Sequence, residues 1–307
     1  MLFAYEKNSQ NLINAQEAER NRSYICPSCM QKVILRRGKI KVSHFAHVKN
    51  SCHAFSEGES QEHLNGKIFL QHELAKWTGK AELEAYLPRL KQRPDVLWTS
   101  NQKKIAFEYQ CAPLSIEKMV ERSWGYRSHN YHYCWILGSR HLIKNSLRQQ
   151  VAQFMRWSPN LGCYLIYLDS ARSCFKVKYN IQAADFLPLK CYNYETNSLA
   201  ELKAFLHQKH DLFYFPLQKG EQACQLRRFK ERCHFPSKHI RHLQNICYEH
   251  GRILEELGSD LLLPTYRQPV FRGWHLAWKI CQMFGLKKEG QEEFYCLPFI
   301  NLNSKIK

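Results

Sequence analysis

Long apolar runs are missing from this chain: none approaches the ~20 residues that a membrane-crossing helix needs, so no membrane span is expected. No secretory leader is expected either, because the opening MLFAYEKNSQNLINAQEAERNRSY turns polar within a few residues. There are no internal repeats and no low-complexity linkers, so domain boundaries are soft. A disulfide framework is also absent. The 13 cysteines are odd in number and scattered, and most, such as Cys134, Cys163 and Cys191, sit in apolar stretches where a free thiol packs as a small hydrophobe. These absences together predict a cytoplasmic protein. Negative charge is scarce as well: 27 Asp and Glu face 45 Lys and Arg, a formal charge of +18. An excess of that size spread along the chain favours a polyanionic partner, most often nucleic acid. At 307 residues the chain can hold two or three domains with at least one sizeable core.

One pair of cysteines is patterned. In YICPSCMQKVILRRGKIKVSHFAHVKNSCHAF, Cys26 and Cys29 form a C-x2-C knuckle, followed by His44-Phe45-Ala46-His47 and then Cys52. Thiolates two residues apart on a tight turn can share one metal ion, and a second pair from a later strand completes a tetrahedron. The intervening segment turns at Gly38, as a small zinc ribbon would. Four of the five residues Cys26, Cys29, His44, His47 and Cys52 are the expected zinc ligands. Cys26, Cys29 and His47 are the firmer three. Four protein ligands leave no open position, so this zinc would be structural.

A helix is expected from Ser56 or Ser60 to about Trp77, capped by the serine and with acids in its first turn. Glu59, His63 and Lys67 follow one i, i+4, i+8 row on or beside its apolar side, which suggests that this end of the helix faces a polar cleft. The next pattern is RPDVLWTSNQKKIAFEYQ, two apolar strands around a polar turn. Strand alternation sends Glu108 and Gln110 to the same face. If the turn closes a hairpin, Asp95 at the start of the first strand meets the end of the second. Two carboxylates and an amide carbonyl then converge, an oxygen-only cluster suited to Mg²⁺ or Mn²⁺ and to phosphodiester hydrolysis.

The helix and acid-bearing hairpin, with Pro94-Asp95 followed by Glu108-Tyr109-Gln110, resemble the PD-(D/E)-x-K nuclease superfamily. The ordered set CPSC, HFAH, ESQEHL, RPDVLW and FEYQCAPLS is similar to the competence protein CoiA family of bacteria, over roughly residues 20–140. The resemblance implies a zinc-finger-like segment before a restriction-endonuclease-like domain, and a role in DNA uptake and recombination during transformation, with recombination proteins as further partners. It implies Asp95 and Glu108 as the Mg²⁺-binding acids. The helix acid maps to Glu59 or Glu62, with the helical wheel favouring Glu59. Gln110 stands where the superfamily usually has lysine. Lys67 is the expected substitute charge, so that Lys67→Ala should abolish cleavage with DNA binding nearly intact.

Downstream, SIEKMVERSWGYRS reads as a helix before the strand HYCWILG, with Arg122, Tyr126 and Arg127 on the DNA side or serving the helix itself. Two strands follow around a turn at Asp169-Ser170. From about residue 196 amphipathic helices dominate, and Arg227, Arg228, Lys230 and Arg232 cluster as candidate phosphate contacts. The expected organisation is an α+β or α/β multidomain chain. It comprises a zinc ribbon over 1–56, a restriction-endonuclease-like α/β core with a mixed sheet over 57–190, and a mainly α-helical basic region over 191–307. Two functions fit: a Mg²⁺-dependent nuclease acting on single- or double-stranded DNA, or a catalytically inactive DNA-binding recombination accessory that uses the same fold as a phosphate platform.

Overall fold

The polar-looking start of the chain is a sheet. β1 (Phe3–Glu6), β2 (Leu12–Asn14), β3 (Tyr24–Ile25), β4 (Lys32–Arg36) and β5 (His44–His47) form a five-stranded antiparallel sheet in the order β2-β1-β3-β4-β5. β1 to β3 are too short to show a period in sequence, yet Ala4, Tyr24, Val33 and Phe45 all turn to one core, where the Tyr24 and Phe45 rings lie 4.8 Å apart. The computed structural model describes residues 1–27, 29–38, 42–48, 60–262, 264–269 and 274–286.

Ser60 caps α1 (Gln61–Ala75), its hydroxyl accepting from His63 N at 3.2 Å. Then come β6 (Lys80–Leu83), β7 (Val96–Thr99) and β8 (Lys104–Gln110), an antiparallel meander. α2 (Ile116–Ser128) crosses over to β9 (His132–Leu137), which pairs parallel with β8 from Ile105↔His132 to Gln110↔Leu137. Such a crossover is what parallel neighbours require. After a short α3 (Gln149–Ala152) come β10 (Arg156–Ser158), β11 (Gly162–Asp169), β12 (Cys174–Gln182) and β13 (Lys190–Thr196). The eight-stranded mixed sheet runs β13-β12-β11-β9-β8-β7-β6, with β10 paired to β11.

The chain divides into two compact units. The first comprises Met1–Leu142, Ile166–Lys176 and Glu195–Phe205, and the second Ile143–Leu165, Val177–Tyr194 and the chain from Leu206. The first contains α1, α2 and both sheet regions described above from β1 to β9. It also holds most of α4 (Leu199–His207), whose first N–H is taken by Glu73 of α1 at 3.0 Å. The second is built on α5 (Lys219–His234), α6 (Lys238–Glu249), α7 (Leu254–Leu261) and α8 (His275–Met283). Their apolar sides close over Phe229, Ile240, Leu243, Leu276 and Ile280. Pro236 falls between α5 and α6, where its missing N–H ends the helical ladder. Among the described residues no helix is long and apolar enough to cross a membrane.

Candidate active site and metal centre

The acid pair is set by register. β7 and β8 pair Val96 with Phe107, so one step further Asp95 stands opposite Glu108. Pro94 has no N–H to continue the ladder, and Asp95 Oδ2 instead accepts the Tyr109 N–H at 2.8 Å. Oδ1 lies 3.2 Å from His63 Nε2 of α1, whose ring stacks on Tyr109 at 5.9 Å. Glu108 points toward α2. Its two oxygens each accept from Arg122 Nη2 at 2.5 Å, and Oε1 also accepts from the Tyr126 hydroxyl. Arg122 and Tyr126 are four apart and so share a helix face. The Arg122 guanidinium lies 5.4 Å over the Trp135 ring, and Trp135 Nε1 donates to Ser123 of the same helix at 3.0 Å.

The two carboxyls are driven apart electrostatically. Burial pushes Glu108 up to about 7, opposed by Arg122 and reinforced by the negative charge of Asp95. Burial also works to raise Asp95, but His63, Lys67 and Arg122 overcome it and hold that carboxyl at about 2. Proximity of like charges splits a carboxylate pair in this way. Their oxygens are the hard donors a divalent cation of the Mg²⁺ class requires, so the donor chemistry fits.

The remaining candidates are distributed as follows. Gln110, on the Glu108 face, gives its amide nitrogen to Ala112 O at 2.7 Å, which leaves its carbonyl oxygen as the atom to offer a ligand. Lys67 has a partner that the sequence did not indicate. Its ammonium, wholly buried, sits 2.5 Å from Glu84, which also takes the Leu2 N–H and lies 3.7 Å from Arg93. A buried ammonium needs a counter-ion at contact distance, and Glu84 supplies one, while the Lys67 charge also helps to hold the Asp95 carboxyl low. Glu62 caps the turn at Ser139, accepting its N–H at 2.6 Å and its hydroxyl at 3.0 Å. Glu59 lies outside the described residues, as does Cys52.

Arg127 is exposed in the last turn of α2. In the second unit, Arg228 donates to Phe186 O at 2.9 Å and Arg232 stacks over Phe186 and Trp274 at 5.6 and 5.3 Å. Both residues are exposed, with their guanidiniums engaged within the second unit. Arg227 lies 3.8 Å from Glu231, and Lys230 is exposed beside it.

At the C-x2-C turn, Cys26, Cys29 and His47 bring their donor atoms within 4.8 Å of one another, a group that can hold a metal ion. Cys29 Sγ is 3.3 Å from His47 Nε2. Met30, with φ 56°, completes the tight turn and returns its N–H to Cys26 O at 2.9 Å. Burial, followed by the charges of Arg93 and the chain's amino group, lowers the His47 pKa and favours the neutral imidazole a metal needs. His44 is set apart. β5 alternates, so His44 falls on the face opposite His47, with its Nδ1 2.9 Å from Val42 O.

The Glu84 and Arg93 partnership was not foreseen from sequence, since nothing local marks a contact that spans elements. The Arg122–Tyr126 spacing was the one available signal for the clasp on Glu108.

Comparison with known proteins agrees with this layout. A model of the competence protein CoiA N-terminal domain matches residues 6–55, and one of the CoiA nuclease-like domain matches residues 59–210. The chain belongs to the competence protein CoiA family. A competence protein CoiA from Bacillus subtilis (strain 168) is 27% identical over 285 residues, covering 88% of this chain and 74% of that relative. No solved structure matches the chain. In CoiA terms, the first matched segment carries the Cys26–Cys29–His47 group and β2 to β5, and the second carries the Asp95–Glu108 pair.

Proposed function

We propose that this CoiA-family chain is a divalent-metal-dependent deoxyribonuclease of the PD-(D/E)-x-K type that processes DNA in natural transformation. The observation that carries the reading is the opposition of Asp95 and Glu108 across the β7–β8 register, with one carboxyl held low and the other high. The order α1, a three-stranded meander, α2 and a parallel strand is the one a restriction-endonuclease-like core would have. Asp95 and Glu108 would hold Mg²⁺ or Mn²⁺, which supplies an activated water and neutralises charge on phosphate oxygens. His63 orients Asp95, and the Gln110 carbonyl borders the same face. Cys26, Cys29 and His47, with a fourth ligand, would hold a structural Zn²⁺. Arg127, Arg227 and Lys230 are the outward cations suited to phosphate contact.

The clasp of Arg122 and Tyr126 on Glu108 favours a second reading, a phosphate-binding platform without catalysis. The test uses purified full chain with plasmid and with single-stranded DNA, in Mg²⁺, Mn²⁺ or EDTA, beside Asp95→Ala. Cleavage that needs the cation and is lost in the variant supports the nuclease. Tight DNA binding without cleavage in either cation supports the platform.

A further inference from the structure

A phosphodiester approaching Asp95 and Glu108 is an anion meeting two acids, so the site needs cations of its own. Three side-chain cations surround the pair among the described residues, and their commitments differ. His63 is engaged by Asp95 at 3.2 Å. Lys67 is 0% exposed and sealed against Glu84. Arg122 touches Glu108 while its side chain is 31% exposed, against 17% for His63 and 0% for Lys67, so it is the most solvent-accessible of the three.

The contact is also one that a metal would contest. Arg122 Nη2 bridges both Glu108 oxygens and Tyr126 occupies Oε1 again, which consumes most of the lone-pair directions of a carboxylate. A divalent cation arriving at Glu108 therefore has to displace the guanidinium, for want of lone pairs and because like charges repel. The displaced group has an anchor, the Trp135 ring face, and an outward path from the middle of α2. A guanidinium fork suits phosphate oxygens in the same way that it suits a carboxylate.

We propose that Arg122 is a catalytic residue with two successive partners: it holds Glu108 until a divalent cation takes that carboxylate, and then binds the phosphate to be cleaved. The proposal rests on the reading that the acid pair binds a divalent cation. It makes Arg122 a competitor of the metal when no nucleic acid is present and a link between metal and nucleic acid when both are. Linkage requires the coupling to be reciprocal, so DNA must tighten metal binding as much as metal tightens DNA binding. Arg122 would then discourage the site from loading metal in the absence of substrate.

The experiment measures Mn²⁺ affinity of the zinc-loaded full chain by the electron paramagnetic resonance of free Mn²⁺, with and without a phosphorothioate oligonucleotide that resists cleavage. Asp95→Asn serves as the background with the acid site removed. For the native chain the oligonucleotide is expected to tighten Mn²⁺ binding about tenfold or more. Arg122→Gln is expected to bind Mn²⁺ about tenfold more tightly than the native chain without oligonucleotide, and to show no further gain when it is added. Arg122→Lys, which keeps the charge on a shorter side chain without the guanidinium fork, should fall between them and covers the case in which Arg122→Gln does not fold. A merely structural arginine would give weaker metal binding on substitution, and that result overturns the proposal. So does unchanged affinity, or the absence of Asp95-dependent Mn²⁺ binding in every variant. If the native chain never cleaves DNA yet shows this competition, the nuclease reading falls and Arg122 keeps its exchange of partners. If the chain cleaves and Arg122→Gln binds no more tightly, the reverse holds.

Discussion

Lys67 of α1 and Glu84, just beyond β6, form a contact ion pair 2.5 Å long in which the two side chains are 0% and 2% exposed. Glu84 also accepts the Leu2 N–H from both oxygens at 3.0 Å, so one carboxylate ties the helix that carries His63 to the opening strand region. Removing either partner leaves a buried charge without its principal counter-ion. Lys67→Met or Glu84→Gln is therefore expected to cost about 3–5 kcal/mol, and the pair of changes together less than their sum. Urea unfolding of both single variants and the double variant checks this. An additive outcome would mean that the two charges are energetically independent. It also changes what Lys67→Ala reports: lost cleavage in that variant would have to be separated from lost fold.

Gly66 lies under the Tyr109 ring, where a Cβ would come within 2.0 Å of Cε1. The ring cannot retreat, because its hydroxyl donates to Leu168 O at 2.9 Å and His63 stacks on its face. Gly66→Ala should destabilise by about 1–3 kcal/mol or more, and lower the melting temperature by several degrees. On a Tyr109→Ala background the same change should cost far less. Equal costs on both backgrounds would show that the ring is not the obstacle.

This close approach illustrates what could be read from sequence. The hairpin from Val96 to Gln110 was legible because its alternation is local, and so were α1, α2 and β9, each with a clear period or cap. The acid opposition followed from register alone. Tertiary partners left no such trace. The pairing of Lys67 with Glu84 joins distant segments, and the choice of Glu108 over solvent for Arg122 depends on where α2 lands. A glycine at position 66 inside a helical pattern was the one hint of tight packing. Of the opening sheet, the segment turning at Gly38 was expected, but β1 to β3 left no trace for another reason: strands of two to four residues carry too few positions to show a period.

The Cys26–Cys29–His47 group leads to a test by metal analysis. Freshly purified chain should carry about one zinc, and Cys29→Ser should lose it. Because metal binding is coupled to folding, a strong chelator should also remove hydrogen-exchange protection from β3 to β5. Full zinc content in Cys29→Ser would remove the centre from consideration.

Asp95 provides the acid-pH test. Its folded value of about 2 lies below the ordinary 3.8, so its ionised form favours the fold above about pH 4, and that advantage fades as pH falls toward 2. The magnitude is about 2 kcal/mol. Asp95→Asn keeps an acceptor for the Tyr109 N–H but forgoes the charge. The native chain should therefore be the more stable at pH 6, with the gap narrowing steadily on acidification. A gap that is constant or widens would mean the carboxylate is not held by its cationic neighbours.

The guanidiniums already engaged within the protein bear on how binding will respond to ionic strength. Arg228 and Arg232 are occupied by Phe186 O and by the Phe186 and Trp274 rings respectively. Each phosphate neutralised on duplex DNA adds ~0.9 to the slope of log affinity against log salt, and a cation that stays on its intramolecular partner and meets no phosphate adds nothing. The formal +18 is therefore a poor guide to that slope. A titration in potassium chloride would count the positive groups that remain on the outside.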